Sequence, residues 1–486
     1  MKYLKDGESL KPALLWKHFD SILGIPRASQ KEEKLSEYIY NFGKSLNLDT
    51  FRDEIGNVII KKPSTSGKKK IVVLQSHIDM VPQKTAESKH NFDTDPVYAY
   101  VDGNVIRAES TTLGADNGVG VAAMMALLES DDIEHGPIEA LFTIDEETGM
   151  TGVKALNPKL IDGRLLLNLD SEDDGQIFIG CAGGIDTNIY FNFKSETPEP
   201  DFLGYKIKLF GMNGGHSGGD IHLGRANAIK MLNRVLWEIN RKADLRLVSF
   251  SGGTLRNVIA SNADAFLAIK SSEVSVLKSI FEDISSKIKA ECNVTEPNMA
   301  FVLEKEKNAE LKVLPKKVSN SLFNAIYATP FGIIKMHDTI KNLVETSINI
   351  GSIASENNSI SLTILSRSSV NSSIIDMANR LSAIFEMAEA TKIKHSGYYP
   401  GWLPSEESYL LKIARDSYRE CFNVEPEVLA VHAGLECALI GDKFEGMDMI
   451  SIGPTIKDAH SVREYCEIKT VERFWKHLAD ILSKID

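Results

Sequence analysis

The segment Ser76-His77-Ile78-Asp79-Met80-Val81-Pro82 sets a histidine and an aspartate two residues apart, just after the apolar run Ile71-Val72-Val73-Leu74. Such a run reads as a buried strand, and open α/β sheets carry their ligand sites at the carboxyl ends of strands. His77 is placed there to give a ring nitrogen to a cation, with Asp79 behind it fixing the tautomer. The alternative is a surface turn that Asp79 caps. Asp116 lies in Thr112-Leu113-Gly114-Ala115-Asp116-Asn117-Gly118-Val119-Gly120, ahead of a helix at 119–128 rich in small residues. It is either a helix cap or a ligand. The glycines are not spaced G-x-G-x-x-G and no strand runs straight into them, which excludes a dinucleotide loop. A strand at 138–144 runs out in Asp145-Glu146-Glu147, and one at 165–169 ends in Asp170. Adjacent acids repel one another, a strain that a surface turn or a divalent cation relieves. Four such ends in the first 170 residues favour one shared site. His432, in His432-Ala433-Gly434-Leu435-Glu436, and His460, in Asp458-Ala459-His460-Ser461, come late in the chain.

Imidazole and carboxylate without thiolate fit Zn²⁺, with Mn²⁺ or Co²⁺ as substitutes, and not copper or an iron–sulfur cluster. Two cations about 3.5–4 Å apart, sharing a carboxylate and a water, lower that water's pKa towards neutrality. A carboxylate that is not a ligand can then take its proton, and Glu146 and Glu147 can divide those roles. Hydrolysis of an amide, an ester or a phosphate is equally consistent with the spacing.

The elements that must position these residues follow from the patterning. Residues 10–48 read as helical, with Leu14, Phe19, Ile22 and Leu23 on one stripe and Tyr38, Ile39, Phe42 and Leu46 on another. Near 185 the pattern changes to the order strand, helix, strand, strand, helix, strand, which fits helices against an antiparallel sheet. Apolar strands that end in histidine or acid resume after Tyr398-Tyr399-Pro400-Gly401-Trp402. The expected architecture is α/β with two domains: a catalytic domain in two parts, 1–186 and 394–486, and an inserted α+β domain, 187–393. With 486 residues the chain exceeds one ordinary core of roughly 150. Its net charge of −12 argues against nucleic acid or an anionic membrane as partner. Five scattered cysteines with no C-x-x-C pair, no apolar leader and no run of about 18 apolar residues predict a cytoplasmic protein without disulfides.

SHIDMVPQ, LGADNGVG, FTIDEETG, LLNLDSED, GGHSGGDIHLGRANA and DAHS together resemble the dinuclear zinc peptidase family that holds carnosinases, bacterial dipeptidases and carboxypeptidase G. HAGLECA, YPGW and the long insertion are similar to its aminoacyl-histidine dipeptidase branch. One departure is Cys437-Ala438, where a glycine is expected after the cysteine. The resemblance implies an α/β/α zinc-peptidase catalytic domain with an inserted lid, two Zn²⁺ per subunit, and a homodimer through the lid. His77 and Asp170 would hold one zinc, Glu147 and His460 the other, and Asp116 both. Asp79 would orient His77, and Glu146 would be the general base activating the bridging hydroxide. His216 would stabilise the oxyanion. Asn257 and Arg367 would clamp a dipeptide of the Xaa-His kind, Arg by its bidentate fork. His432 is not expected to be a ligand. Two other readings stay open: a deacylase of N-acyl amino acids and a non-catalytic peptide-binding protein.

Overall fold

The structure, a computed structural model, describes residues 1–306, 311–405 and 407–486. These form two compact units, one of 1–180, 404–430 and 435–486 and the other of 181–403 and 431–434.

In the first unit the apolar runs become the middle of a sheet. Its order is Glu427–Val431, Gln176–Cys181, Asp448–Ser451, Leu165–Asn168, Val72–His77, Ile138–Thr143, Val58–Lys62 and Asp49–Arg52. The four strands from Asp448–Ser451 to Ile138–Thr143 run parallel. Parallel strands are covered on both faces and so read as apolar runs rather than alternation. Every residue of Val72–His77 and of Ile138–Thr143 is buried accordingly. Because these strands are parallel, they finish at one edge. His77 pairs with Thr143, three residues before Glu146, and Gln75 pairs with Asn168, two before Asp170. Register alone gathers three of the loaded strand ends.

The helix Ala115–Glu129 is buried from Asn117 to Leu128. An all-round apolar helix belongs inside. Gly120 is what lets it close on the sheet: a Cβ there would lie 2.5 Å from Ser76 Oγ and 2.7 Å from the Leu169 carbonyl. Asp116 (φ −80°, ψ 111°) and Asn117 (φ −104°, ψ 32°) are not helical. The kink turns the Asp116 carboxylate away from the helix N–H groups and towards two histidines.

Residues 10–48 hold two helices, Ala13–Leu23 and Glu33–Ser45, whose buried faces include Phe19, Ile22, Leu23 and Ile39 of the expected stripes and depart from them elsewhere. Leu15 and Trp16 are buried and Leu14 is not. In the second helix Leu35, Ser36, Ile39 and Gly43 face inward, while Tyr38 and Phe42 are half-buried. Gly43 explains the rotation. A Cβ there would stand 2.5 Å from Thr50 Oγ1 and 2.8 Å from Ile60 Cδ1, so the smallest residue takes the closest approach and the rings move to the rim.

The second unit is an antiparallel sheet in the order Ala300–Lys305, Phe202–Phe210, Ala263–Lys270, Arg246–Gly253, Val344–Glu356, Ser359–Ser368, Gly183–Asn192 and Lys392–Tyr399, with Gly332–Met336 beside Val344–Glu356. The helices Ala228–Lys242, Val274–Glu291, Lys316–Ala328 and Asn371–Met387 share a core with it that includes Ile189, Leu236, Phe250, Leu267, Phe323 and Leu362. Gly183–Asn192 and Lys392–Tyr399 pair with each other. The latter is mostly exposed, an edge strand without the apolar alternation that would reveal it in a sequence. Among the described residues no helix is long and apolar enough to cross a membrane.

Candidate metal centre

His77 is buried at the end of its strand. Its Nε2 stands 3.1 Å from Asp116 Oδ1 and 3.3 Å from Asp170 Oδ1, and its Nδ1 is 3.2 Å from Asp79 Oδ1. His460 Nε2 lies 3.0 Å from Asp116 Oδ2 and 3.0 Å from Glu147 Oε2. Asp116 therefore turns one oxygen to each histidine. Three overlapping groups, His77/Asp116/Asp170, His77/Glu146/Glu147 and Asp116/Glu147/His460, each bring donor atoms within 4.8 Å of one another.

Asp79 joins two of the delivering strands. It also accepts from Ser29 Oγ at 2.8 Å and from the backbone N–H groups of Glu146 and Glu147 at 3.0 and 3.2 Å. Burial alone would raise its pKa; His77, Ser29 and the Glu146 N–H outweigh that and keep it ionised. Asp145 (φ 56°) and His460 (φ 62°) both sit in the left-handed region. Non-glycine residues rarely do, and such backbone gathers at functional sites.

The donor chemistry asks for cations. A neutral imidazole has one N–H and a lone pair, yet each Nε2 faces two carboxylates. Glu147 Oε1 is buried with no hydrogen-bond partner. Burial lowers His77, but Asp170, Asp116 and Asp79 override it and hold the ring well above its usual pKa. Hydrogen bonds to Asp116 and Glu147 push His460 up to about 11. Burial, partly offset by His77, lifts Glu146 well above the carboxylate range, and Asp170, Glu436 and Glu147 add to the lift. Nitrogen and oxygen donors without sulfur, with surplus negative charge, fit divalent cations of the zinc class.

The family description "Peptidase family M20/M25/M40" matches residues 73–484. The chain belongs to that family. It is 40% identical over 484 residues to the cytosol non-specific dipeptidase of Escherichia coli K12, covering 99% of both chains. The crystal structure of aminoacylhistidine dipeptidase from Vibrio alginolyticus superposes with a TM-score of 0.93 at 41% identity, over 99% of this chain and 98% of that one. Aminopeptidase PepT from Bacillus cereus, at 14% identity, TM-score 0.57 and 98% and 99% coverage, shares the fold. This M20/M25/M40 member is a hydrolase with a peptidase's two-unit architecture.

The other expected site residues lie in the second unit. His216 Nδ1 accepts from the Gly219 N–H at 2.9 Å and the Gly218 N–H at 3.3 Å. Its proton is thereby confined to Nε2. Burial and Arg367 keep the ring below its usual pKa, hence neutral. The Asn257 carbonyl accepts from Ser217 N–H at 2.8 Å, tying it to the His216 turn. Arg367 donates through Nη1 to the Tyr399 hydroxyl at 2.7 Å and keeps a buried Nε unpaired. His432 is buried, hydrogen-bonds Ser347 Oγ at 2.7 Å, and is pushed down to about 3 by burial and Arg367.

Sequence reasoning missed three buried groups of the first unit: Arg27, Glu464 and Glu436. Glu436 accepts from Gln75 Nε2 at 2.6 Å and Thr143 Oγ1 at 2.7 Å. Gln75 Oε1 accepts from Asn168 Nδ2 at 2.6 Å, and Asn168 Oδ1 accepts from Ser451 Oγ and from the Asp170 N–H at 3.3 Å. This polar belt crosses four strands directly beneath His77 and Asp170. Burial pushes Glu436 up to about 8. Glu436 stands in HAGLE and Glu464 four residues after His460, but only the tertiary structure reveals their partners: side chains on two strands for Glu436, and the backbone N–H groups of 113–116 for Glu464.

Proposed function

We propose that this chain is a metal-dependent dipeptidase that hydrolyses the peptide bond of short dipeptides, Xaa-His substrates included. The observation that carries the reading is Asp116, whose two carboxylate oxygens face His77 and His460 separately. His77 and Asp170 would hold one divalent cation, Glu147 and His460 a second, with Asp116 common to both. Zinc is the expected ion, replaceable by Mn²⁺ or Co²⁺. When bound, such a pair supplies Lewis acidity and lowers the pKa of water towards neutrality.

The remaining roles belong to the chain's own groups. Glu146, lifted by burial and by its acidic neighbours, takes the proton of the attacking water and returns it to the leaving amine. Asp79 holds the His77 ring and the Glu146-Glu147 backbone in one geometry. His216, with its proton on Nε2, donates to the oxygen on which negative charge develops. Arg367, with an unspent buried Nε, and Asn257 bind the substrate's carboxylate and peptide. The second unit, 181–403 with 431–434, acts as lid and dimer contact, and the protein works in the cytosol. The names of the two full-length dipeptidase relatives support the substrate class.

The test is a hydrolysis panel on chelated and remetallated protein: Xaa-His and Xaa-Leu dipeptides, tripeptides and N-acyl amino acids. Turnover of dipeptides only after Zn²⁺, Mn²⁺ or Co²⁺ is restored is the expected result. Preference for N-acyl amino acids would make the chain a deacylase. Absence of any turnover with each metal would leave a peptide-binding protein.

A further inference from the structure

Two buried side chains of opposite charge lie next to the ligand set with no role in hydrolysis. Arg27 (2% exposed) follows the helix Ala13–Leu23. Its Nη1 donates to the carbonyls of Ile78 at 3.0 Å and Asp79 at 2.9 Å, and its Nη2 donates to the carbonyl of Gly114. Glu464 (3% exposed) comes four residues after His460. Its Oε2 accepts from the N–H groups of Leu113 at 2.8 Å and Gly114 at 3.0 Å; its Oε1 accepts from Ala115 at 2.8 Å and Asp116 at 3.4 Å. Residue 114 is thus held by its carbonyl from one side and by its N–H from the other, two positions before Asp116.

The local sequence is shaped around this grip. Gly114 has φ +69°, and a Cβ on it would stand 2.5 Å from Arg27 Nη2; a Cβ on Gly118 would stand 2.7 Å from the same atom. Both glycines make room for the guanidinium. The segment that carries Arg27 also lies along the His77 strand end. Met80 N–H donates to the Arg27 carbonyl at 3.1 Å, and Ser29 N–H donates to the Met80 carbonyl at 3.2 Å. Burying a charged group is unfavourable unless its hydrogen bonds are satisfied. Here, among the described residues, every hydrogen-bond partner of the two side chains is main chain of the 78–79 or 113–116 segments. These are the segments that follow His77 and deliver Asp116, and Glu464 belongs to the segment that carries His460.

We propose that Arg27 and Glu464 are positioning residues. They brace the shared carboxylate Asp116 against the His77 strand end on one side, through Arg27, and the His460 segment on the other, through Glu464, and so set how tightly the cations are held, Glu464 the one on the His460 side. The inference rests on the metal-ligand reading above. Glu464 is the link between Asp116 and the His460 segment, so its loss loosens that half of the site. Arg27 still ties residue 114 to 78–79, so the half built on His77 and Asp170 keeps its geometry.

Zinc titration of the chelated full-length protein against a chromophoric chelator tests this on wild type, His460→Ala, Glu464→Gln and Arg27→Lys. Gln keeps one acceptor oxygen but turns an NH₂ towards backbone N–H donors. The expected result for folded E464Q is a first equivalent within twofold of wild type and a second at least tenfold weaker. At saturating Zn²⁺ kcat is restored with KM unchanged, which a general loosening of the fold would not give. An unchanged second equivalent in folded E464Q, or a KM that stays altered at saturating metal, overturns the brace. Should E464Q fail to fold by circular dichroism, R27K decides: tenfold weaker metal binding supports the brace and wild-type binding overturns it. Two equivalents in wild type and one in H460A separate this outcome from the metal-ligand reading. A wild type that takes up no zinc overturns both.

Discussion

At the scale of single residues, the candidate centre is assembled from a few groups that each make several contacts. Asp79 accepts from Ser29 and from two backbone N–H groups of the acid turn while lying 3.2 Å from the His77 ring. Glu146 and Glu147 are neighbours in sequence yet differ in surroundings: Glu147 is 3.0 Å from His460, which offsets part of the upward push of burial, whereas burial and then the acids Asp170, Glu436 and Glu147 hold Glu146 well above the carboxylate range. That difference suits a ligand and a base. Glu146→Gln is expected to lower kcat by about 10²–10⁴-fold while both cations stay bound, read by steady-state kinetics and elemental analysis of the same sample. Near-normal kcat would remove the base assignment. The residues that could bear chemistry are legible by type and position, because a histidine or acid at the end of an apolar run is conspicuous. Arg27, Glu436 and Glu464 are not, because their partners are main-chain atoms or side chains on strands far away in sequence.

At the scale of elements, the parallel strands are readable because burial on both faces makes them continuously apolar. The amphipathic helices are locatable too: Ala13–Leu23 buries Phe19, Ile22 and Leu23 of its apolar stripe, whereas the inward face of Glu33–Ser45 departs further from its own because a glycine sets the approach. The edge strand Lys392–Tyr399 carries little apolar signal at all. The closing helix, Ile468–Lys484, shows how an element's docking acquires a pH dependence. His477 is buried and its Nε2–H donates to the Ala414 carbonyl on the helix Tyr409–Phe422, at 2.8 Å. Burial pushes its pKa down to about 4. Above pH about 6.5 the ring is neutral in folded and unfolded chains alike and no penalty arises. Between about 6.5 and 4 the unfolded chain takes a proton that the folded one refuses, so stability falls with pH, by about 3 kcal/mol at the limit. His477→Phe is expected to flatten that part of the stability–pH curve in denaturant titrations. An unchanged slope would assign the loss to other groups.

At the scale of the whole molecule, five proposed ligands span residues 77 to 460, so the site exists only once the first unit has folded. A ligand that binds only the folded chain stabilises it by RT ln(1 + [L]/Kd), about 2.7 kcal/mol at a hundredfold excess over Kd. Chelation is therefore expected to lower Tm by several degrees and remetallation to restore it, by scanning calorimetry. A Tm indifferent to chelation would mean that the ligand groups are not holding metal. The boundary between units follows from strand pairing: Gly183–Asn192 pairs with both Ser359–Ser368 and Lys392–Tyr399, which keeps both ends of the 181–403 segment in one sheet.

The chain's order of residues by itself determined the α/β class, the strand ends that carry chemistry, and a nitrogen–oxygen donor set suited to a zinc-class ion. Those follow from local patterning, which burial imposes on neighbours along the chain. Only the tertiary structure decided that Asp116 turns one oxygen to each histidine, that Glu436 anchors a belt under the sheet's edge, and that Arg27 and Glu464 grip one peptide from opposite sides. Hydrogen-bond geometry between segments hundreds of residues apart depends on register and packing, and no spacing within the sequence encodes it.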